Sequence, residues 1–172
     1  PALMKENNEW WRLITNGFIH ADWVHLFFNM FTLYFFGRAI EFYFAEVFEN
    51  AFVFPAFYLS ALVFSSTPSY AKHKNHSYYR SLGASGAVSA VLFASIIFNP
   101  WAKIGLMFAI QIPGILFAVL YLMYSSYMSK KGGDNINHDA HLYGALYGLL
   151  FPIVFKPQLI SYFLEQIQHP HF

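Results

Sequence analysis

Five long runs of apolar residues dominate the chain, and short polar stretches separate them. The runs cover Val24–Phe44, Ala51–Ser66, Leu82–Phe98, Ile104–Tyr127 and Ala140–Phe155. A bilayer core needs about 20 apolar residues per helix, and backbone groups in lipid must be bonded within their own segment. The pattern therefore predicts five membrane helices, of which the short second and fifth extend into their flanks.

The connections between these segments are mostly short, which predicts a single domain over residues 1–172: an all-α bundle of antiparallel membrane helices. Two longer polar connections, Thr67–Ser81 and Ser129–Asp139, follow the second and fourth segments. Alternate connections of an up-and-down bundle share a face, so we expect both connections and the N-terminal stretch on one face. The last four residues, His169–Phe172, read as a disordered tail.

Composition supports a membrane location and excludes several other classes of protein. Hydrophobic residues make up 57% of the chain and charged residues 11%, roughly half the charged share of soluble domains. The net charge of +1 gives no electrostatic reason to expect a nucleic-acid partner. Cysteine is absent, which excludes thiol catalysis, disulfides and cysteine-ligated metal centres. The N-terminus has no signal-peptide pattern and no initiating methionine, so we expect a fragment or a trimmed chain.

A serine and a histidine stand where two of the apolar runs begin. Gly83-Ala84-Ser85-Gly86 opens the third run, and His138-Asp139-Ala140-His141 opens the fifth. Ser85 and His141 are candidates for a nucleophile and its general base, which would make the protein a hydrolase. The glycines beside Ser85 permit close backbone approach, and free amides at a helix N-terminus suit a developing oxyanion. Serines in membrane helices also bond back to their own backbone, which we expect of Ser89 and Ser95.

Small residues in the third and fifth runs predict that these two helices pack closely. Gly144 and Gly148 form a Gly-xxx-Gly pair below His141, and residues 83–90 of the third run are nearly all small. Plain helix packing explains the glycines by themselves. The same packing would also place Ser85 beside His141.

Further polar residues allow two different sites. His25 and Asn29 lie four residues apart, so they are candidates either for oxyanion donors or for a helix–helix hydrogen bond. His138 and His141 are spaced for a metal site if His20, His25, Asp22 or Asp139 completed it. The zinc-protease sequence His-Glu-x-x-His is missing, which makes metal binding the minor interpretation, and His141 is preferred over His138 as the base.

Together these residues resemble the rhomboid family of intramembrane serine proteases, most closely the bacterial type. The resemblance spans nearly the whole chain and rests on Trp11-Arg12, His20, His25-x-x-x-Asn29, Gly37, Glu41, Gly83-Ala84-Ser85-Gly86 and Ala140-His141-x-x-Gly144-x-x-x-Gly148. It implies a Ser85–His141 dyad without an acidic third member, and an oxyanion hole made by His25, Asn29 and the Ser85 amide. It also implies supporting roles for Gly83, Gly86, His20 and Gly144, a structural Glu41, Trp11 and Arg12 in a membrane-lying loop, and no metal or organic cofactor.

The resemblance further implies a multi-pass protein of the bacterial inner membrane that cleaves other transmembrane proteins, with its site facing outward. The chain departs from the family in three respects. Ser89 stands where rhomboids commonly carry a tyrosine that supports the histidine, a role that Tyr143 or Tyr147 would have to fill. Only five of six family helices are present, so we expect the first to precede Pro1. The site face carries seven of the ten Lys and Arg, which by the positive-inside rule alone points it to the cytoplasm.

Two other functions fit parts of the pattern. One is a catalytically inactive rhomboid-like protein that binds membrane clients without cutting them. The other is a membrane haem or metal protein whose ligands are histidines, drawn from His20, His25, His138 and His141.

Overall fold

The computed structural model describes residues 1–106 and 110–170, and most of these residues are helical. Two short helices, α1 (Ala2–Glu6) and α2 (Arg12–Thr15), and a 3-10 turn (Asn16–Phe18) precede the bundle. The main helices are α3 (Trp23–Phe48), α4 (Val53–His73), α5 (Ser85–Phe98), α6 (Gly114–Lys131) and α7 (His138–Phe155). A short helix, α8 (Leu159–Gln168), follows α7, and strands β1 (Lys103–Leu106) and β2 (Ile110–Pro113) pair antiparallel between α5 and α6.

Helix α5 forms the centre of the bundle. Of its 14 residues 11 are buried, and it contacts α3, α4, α6, α7 and α8. Its first turns consist mostly of glycine, alanine and serine, so neighbouring backbones come close. Its later turns carry larger apolar side chains that fill the core. The N-terminus of α5, and with it Ser85, is therefore surrounded by other helices.

An aromatic cluster fixes the far end of the bundle from Ser85. The rings of Phe44 on α3, Phe57 on α4 and Phe151 on α7 lie 4.8–5.9 Å apart, measured between centroids. Phe44 and Phe57 are fully buried. Aromatic pairs at this separation contribute about 0.5–1.5 kcal/mol beyond their buried area. Three helices are thus held together at the end opposite the site.

The limits of the predicted helices differ from those in the structure, most of them by a few residues. Helix α4 extends to His73, as expected from its short apolar run, so the first half of the predicted Thr67–Ser81 connection is helical. Helix α5 begins at Ser85 rather than Leu82, which makes Ser85 its first residue. Helix α7 starts two residues before Ala140 and ends at Phe155 as predicted. Part of the predicted tail, residues 171–172, lies outside the described residues.

The fourth predicted segment, Ile104–Tyr127, is wrong in its first part. Residues 103–106 and 110–113 form the β1–β2 hairpin, and α6 begins only at Gly114. Pro113 accounts for the boundary, because proline has no N–H for a helix ladder and disfavours a helical residue before it. Residues 107–109 of this prediction lie outside the described residues.

The length and composition of each helix indicate whether it could cross a bilayer. Taken one at a time, no helix in the described ranges is both long and apolar enough to cross a membrane. Two pairs, α3 with α4 and α7 with α8, pass the same length and composition test together, each bent by 117° at its break.

The polar ends of several helices lie on one face of the bundle. The N-termini of α3, α5 and α7 and the C-termini of α4 and α6 lie there, together with the segment that contains α1 and α2. We call this the loop face.

Candidate active site

Ser85 and His141 meet at the loop face, between the N-termini of α5 and α7. Nε2 of His141 lies 2.7 Å from Oγ of Ser85. This is the separation expected of a nucleophile and the base that accepts its proton. The structure thus places the two residues together in the arrangement that the glycine pattern predicted.

Glycines set the approach of α5 to α7. A Cβ atom at Gly144 would overlap the carbonyl oxygen of Gly86, and one at Gly148 would overlap that of Ala90. On the side of α5 that faces α4, a Cβ at Gly86 would lie 2.6 Å from Cβ of Ser65. Each contact is closer than real Cβ atoms allow, so larger residues would push the helices apart. The short Ser85–His141 distance depends on this packing.

His25 lies against the segment that leads into α5. Gly83 has a φ of +104°, and a Cβ there would lie 2.5 Å from Cε1 and 2.7 Å from Nε2 of the His25 ring. The Ala21 N–H donates to Nδ1 of His25 over a long 3.5 Å. A neutral imidazole that accepts at Nδ1 carries its proton on Nε2, so the Gly83 side of the ring presents a donor.

Asn29 is buried, with 5% of its surface exposed, one turn below His25. Its Nδ2 donates to the His25 carbonyl at 2.8 Å, inside its own helix. The described contact is therefore a bond within α3 and not the helix–helix bond that was one of the two possibilities. An amide nitrogen carries two hydrogens, so the second N–H of Asn29 is left for another acceptor.

The N-terminus of α5 supplies backbone donors. Ala84 occupies the cap position of this helix and makes no side-chain capping bond. The first amides of a helix have no partner within it, and the first residue of α5 is Ser85 itself. The Ser85 N–H thus points out of the helix start, beside its own hydroxyl.

Tyr121 on α6 is a contact of His141 that sequence reasoning missed. The two rings are stacked at 27°, with centroids 6.4 Å apart, and the Tyr121 hydroxyl lies 2.6 Å from Oγ of Ser89. The expectation that Ser89 bonds back to its own helix is therefore wrong, whereas Ser95 does so, to the Leu92 carbonyl.

Neither tyrosine expected to support His141 does so in the structure. Tyr147 bonds to Ser60 at 2.7 Å and stacks on phenylalanines of α4, and Tyr143 is about half exposed. Both lie on α7 itself, where their spacing from His141 turns them away from its ring. Tyr121 reaches that ring because it comes from a neighbouring helix.

The remaining polar candidates have local partners. Asp22 caps α3 by accepting from the His25 N–H at 2.7 Å, and His138 Nε2 lies 3.0 Å from Asp134. The His20 ring contacts His25 edge-on at 5.0 Å, and burial, followed by the charge of His25, lowers the pKa of His20. Within the described ranges, no three His, Cys, Asp or Glu side chains are close enough to hold a metal ion.

Other residues of the sequence pattern lie away from the Ser85–His141 pair. Arg12 forms a 2.8 Å ion pair with Glu9 and lies over the ring of Trp11. Gly37 is buried where α3 meets α4, and Glu41 is exposed.

A family model described as a rhomboid domain matches residues 7–158. "RHOMBOID-like protein 12, mitochondrial" of Arabidopsis thaliana is 34% identical over 143 residues, which cover 77% of this chain and 43% of that protein. "Rhomboid-like protein 11, chloroplastic" of the same plant is 31% identical over 156 residues, with coverages of 82% and 51%.

A bacterial protein gives a similar match. "Putative rhomboid protease YdcA" of Bacillus subtilis (strain 168) is 29% identical over 144 residues, which cover 84% of this chain and 66% of that protein. The chain thus spans about half the length of the two plant relatives. No solved structure matches it. Since the family match covers most of the chain, the protein belongs to the rhomboid family of integral membrane proteins.

Proposed function

We propose that the protein is an intramembrane serine endopeptidase, which hydrolyses peptide bonds in or beside the membrane segments of other proteins. The observation that carries this proposal is the 2.7 Å approach of His141 Nε2 to Ser85 Oγ. That pair lies among helix N-termini in a chain of the rhomboid family. No acidic third residue, metal or organic cofactor takes part in the proposed reaction.

The reaction begins when His141 takes the Ser85 proton on Nε2 and Oγ bonds to the carbonyl carbon of the substrate. The C–N bond then breaks, and the proton passes from His141 to the departing amine, which leaves an acyl-enzyme. Water attacks this ester; His141 accepts its proton and returns it to Ser85 Oγ as the new carboxyl end leaves. Both half-reactions restore the neutral dyad.

The tetrahedral oxyanion is held by donors from two helices. The Ser85 N–H at the start of α5 is one, and Nε2–H of His25 is the second, since that side of the ring faces Gly83. Asn29 contributes its second amide N–H. One such donor is worth about 2.7–4 kcal/mol in the transition state.

Tyr121 supports the base in this mechanism. Its ring lies against His141, and its hydroxyl is held by Ser89, one turn after Ser85 on α5. The ring limits the rotation of the imidazole, so Nε2 stays directed at Oγ. In this mechanism the supporting aromatic ring comes from Tyr121 on α6, whereas the family resemblance implied a tyrosine on α5 at the position of Ser89.

The substrates would be membrane proteins whose helices unwind locally at the cut, with small residues beside it. Water reaches the site from the loop face, where Ser85 and His141 lie. The bacterial plasma membrane is the proposed location, supported by the Bacillus relative.

The test is cleavage of a reporter membrane helix by the purified protein in liposomes, beside Ser85→Ala and His141→Ala. We expect cleavage by the unchanged protein and none by either variant. Cleavage that survives Ser85→Ala would refute the mechanism. If no form cleaves but all bind the reporter, the protein is instead a client-binding member of the family.

A further inference from the structure

Asn137 lies where three segments of the loop face meet, and its side chain bonds to each of them. Its Oδ1 accepts from the Ser69 hydroxyl at the end of α4 (2.7 Å) and from the Ala140 N–H at the start of α7 (3.1 Å). Its Nδ2 donates to Oγ of Ser81 at 2.8 Å. One amide group thus joins α4, α7 and the segment before α5.

The two residues of the Asn137–Ser81 bond have the same sequence separation from the proposed dyad. Ser81 precedes Ser85 by four residues, and Asn137 precedes His141 by four. The Asn137 carbonyl also accepts from the His141 N–H at 3.2 Å. The Asn137–Ser81 bond therefore joins the start of the nucleophile's helix to the start of the base's helix, on the loop-face side of both residues.

The segment that carries Ser81 has few restraints that tie it to α7. Residues 79–84 form neither helix nor strand, so no backbone ladder fixes their position. The Gly83 N–H donates to the Asn16 carbonyl at 3.0 Å, which holds the segment to the N-terminal region but not to α7. On the bundle side, the glycine contacts hold α5 to α7; on the loop-face side, the described side-chain link between Ser81 and α7 is Asn137.

An amide satisfies all three partners at this position. Asn137 accepts two hydrogen bonds and donates a third to the Ser81 hydroxyl, whereas a serine is too short to span the three partners. A helix cap alone would be satisfied by serine, threonine or aspartate. The bond to Ser81 is thus additional to capping.

We infer that Asn137 is a positioning residue for the Ser85–His141 pair, acting through Ser81. This inference rests on the proposed protease function. Loss of the Ser81 bond lets the segment before α5 shift relative to α7, which lengthens the Oγ–Nε2 distance. Small displacements at a reacting centre lower the rate of chemistry more than they lower binding.

The test compares Ser81→Ala and Asn137→Ser with the unchanged protein. Ser81→Ala removes the link and leaves the α7 cap intact, while Asn137→Ser keeps a good cap that cannot reach Ser81. We expect Ser81→Ala to lower kcat about three- to tenfold, the value of one hydrogen bond, with KM within about twofold. Asn137→Ser also loses the bond from Ser69, so it should lower kcat at least as much. Covalent labelling of Ser85 by a fluorophosphonate should slow by the same factor as kcat in each variant.

Two further variants complete the test. The double variant Ser81→Ala/Asn137→Ser should be no slower than Asn137→Ser alone, since Asn137→Ser already removes the Ser81 bond. Thr67→Ala is the matched control, because Thr67 is exposed near the end of α4 and bonds back to the Val63 carbonyl; it should label at the unchanged rate. Equal labelling by Ser81→Ala and the unchanged protein overturns the inference, as do additive single effects. If the unchanged protein does not label at Ser85, the proposed function fails first.

Discussion

The two sides of the candidate site hold their residues in different ways. On the α7 side, backbone-to-backbone contacts at Gly144 and Gly148 leave no room for a side chain, and they fix His141 against Ser85. On the α3 side, the His25 ring accepts one long bond from the Ala21 N–H and contacts Gly83 and His20, and Asn29 is bonded inside its own helix. In the proposed mechanism the dyad is thus assembled before substrate arrives, and we expect the oxyanion donors to take their final positions only around the reacting carbonyl.

The largest effect should come from filling the α5–α7 contact. Gly144→Ala places a Cβ on the Gly86 carbonyl oxygen, so the helices must separate. We expect a loss of about 3 kcal/mol in unfolding free energy and at least about a 100-fold fall in cleavage. Thermal unfolding in detergent and reporter cleavage measure the two effects.

Gly105→Ala is the matched control for this substitution, because a Cβ at Gly105 meets no atom within 4 Å. It should leave cleavage unchanged. Full activity in Gly144→Ala would show that the dyad tolerates separation of α5 and α7, and the contrast between the two sides of the site would disappear.

The next effect concerns the α3 side. His25→Ala removes one proposed oxyanion donor without touching the α5–α7 contact, so we expect kcat to fall about 100-fold with little change in KM or in unfolding temperature. Steady-state kinetics on the reporter substrate separate the two constants. A rise in KM alone would indicate that His25 binds substrate uniformly and does not stabilise the transition state.

Support of the base by Tyr121 should have an intermediate effect. Tyr121→Phe keeps the ring on His141 but loses the bond to Ser89, and we expect cleavage to fall about threefold, the value of one neutral hydrogen bond. Tyr121→Leu also loses the ring and should fall about tenfold further. The pair Tyr121→Phe and Ser89→Ala should act as one in a double-mutant cycle of cleavage rates.

If Tyr121→Leu is as active as Tyr121→Phe, the ring does not orient His141. Tyr147→Phe provides the comparison on α7, since Tyr147 bonds to Ser60 away from the dyad. Its cleavage rate should equal that of the unchanged protein.

Residues marked by a pattern within one segment were predicted from the sequence, whereas residues whose role depends on a contact between segments were missed. The serine, the histidine and the glycines that seat them are marked by spacing inside α5 and α7, and the structure brings them together. Tyr121 and Asn137 were missed because their partners lie 32 and 68 residues away, and an isolated tyrosine or cap asparagine resembles any other. The family resemblance, not periodicity, suggested that some aromatic ring should lie against His141.

The hairpin was missed for a different reason. Residues 103–113 are as apolar as a membrane helix, and hydrophobicity by itself does not distinguish the two. Pro113, inside the predicted helix, was the available signal for a boundary. The sequence also cannot define the role of His25 and Asn29 on the α3 side. Their spacing is the same whether they donate to an oxyanion or form a helix–helix hydrogen bond.

The smallest effect is a dependence of stability on pH at the α3 side. Burial and then the charge of His25 lower the pKa of His20 from 6.5. His20 therefore binds a proton more readily in the unfolded chain than in the folded protein. Stability is therefore full above pH 6.5 and falls as pH drops from there towards the lowered pKa. His20→Gln cannot titrate, so its thermal midpoint should fall less than that of the unchanged protein between about pH 7.5 and 5.5. Equal falls in the two proteins would show that folding does not lower the pKa of His20.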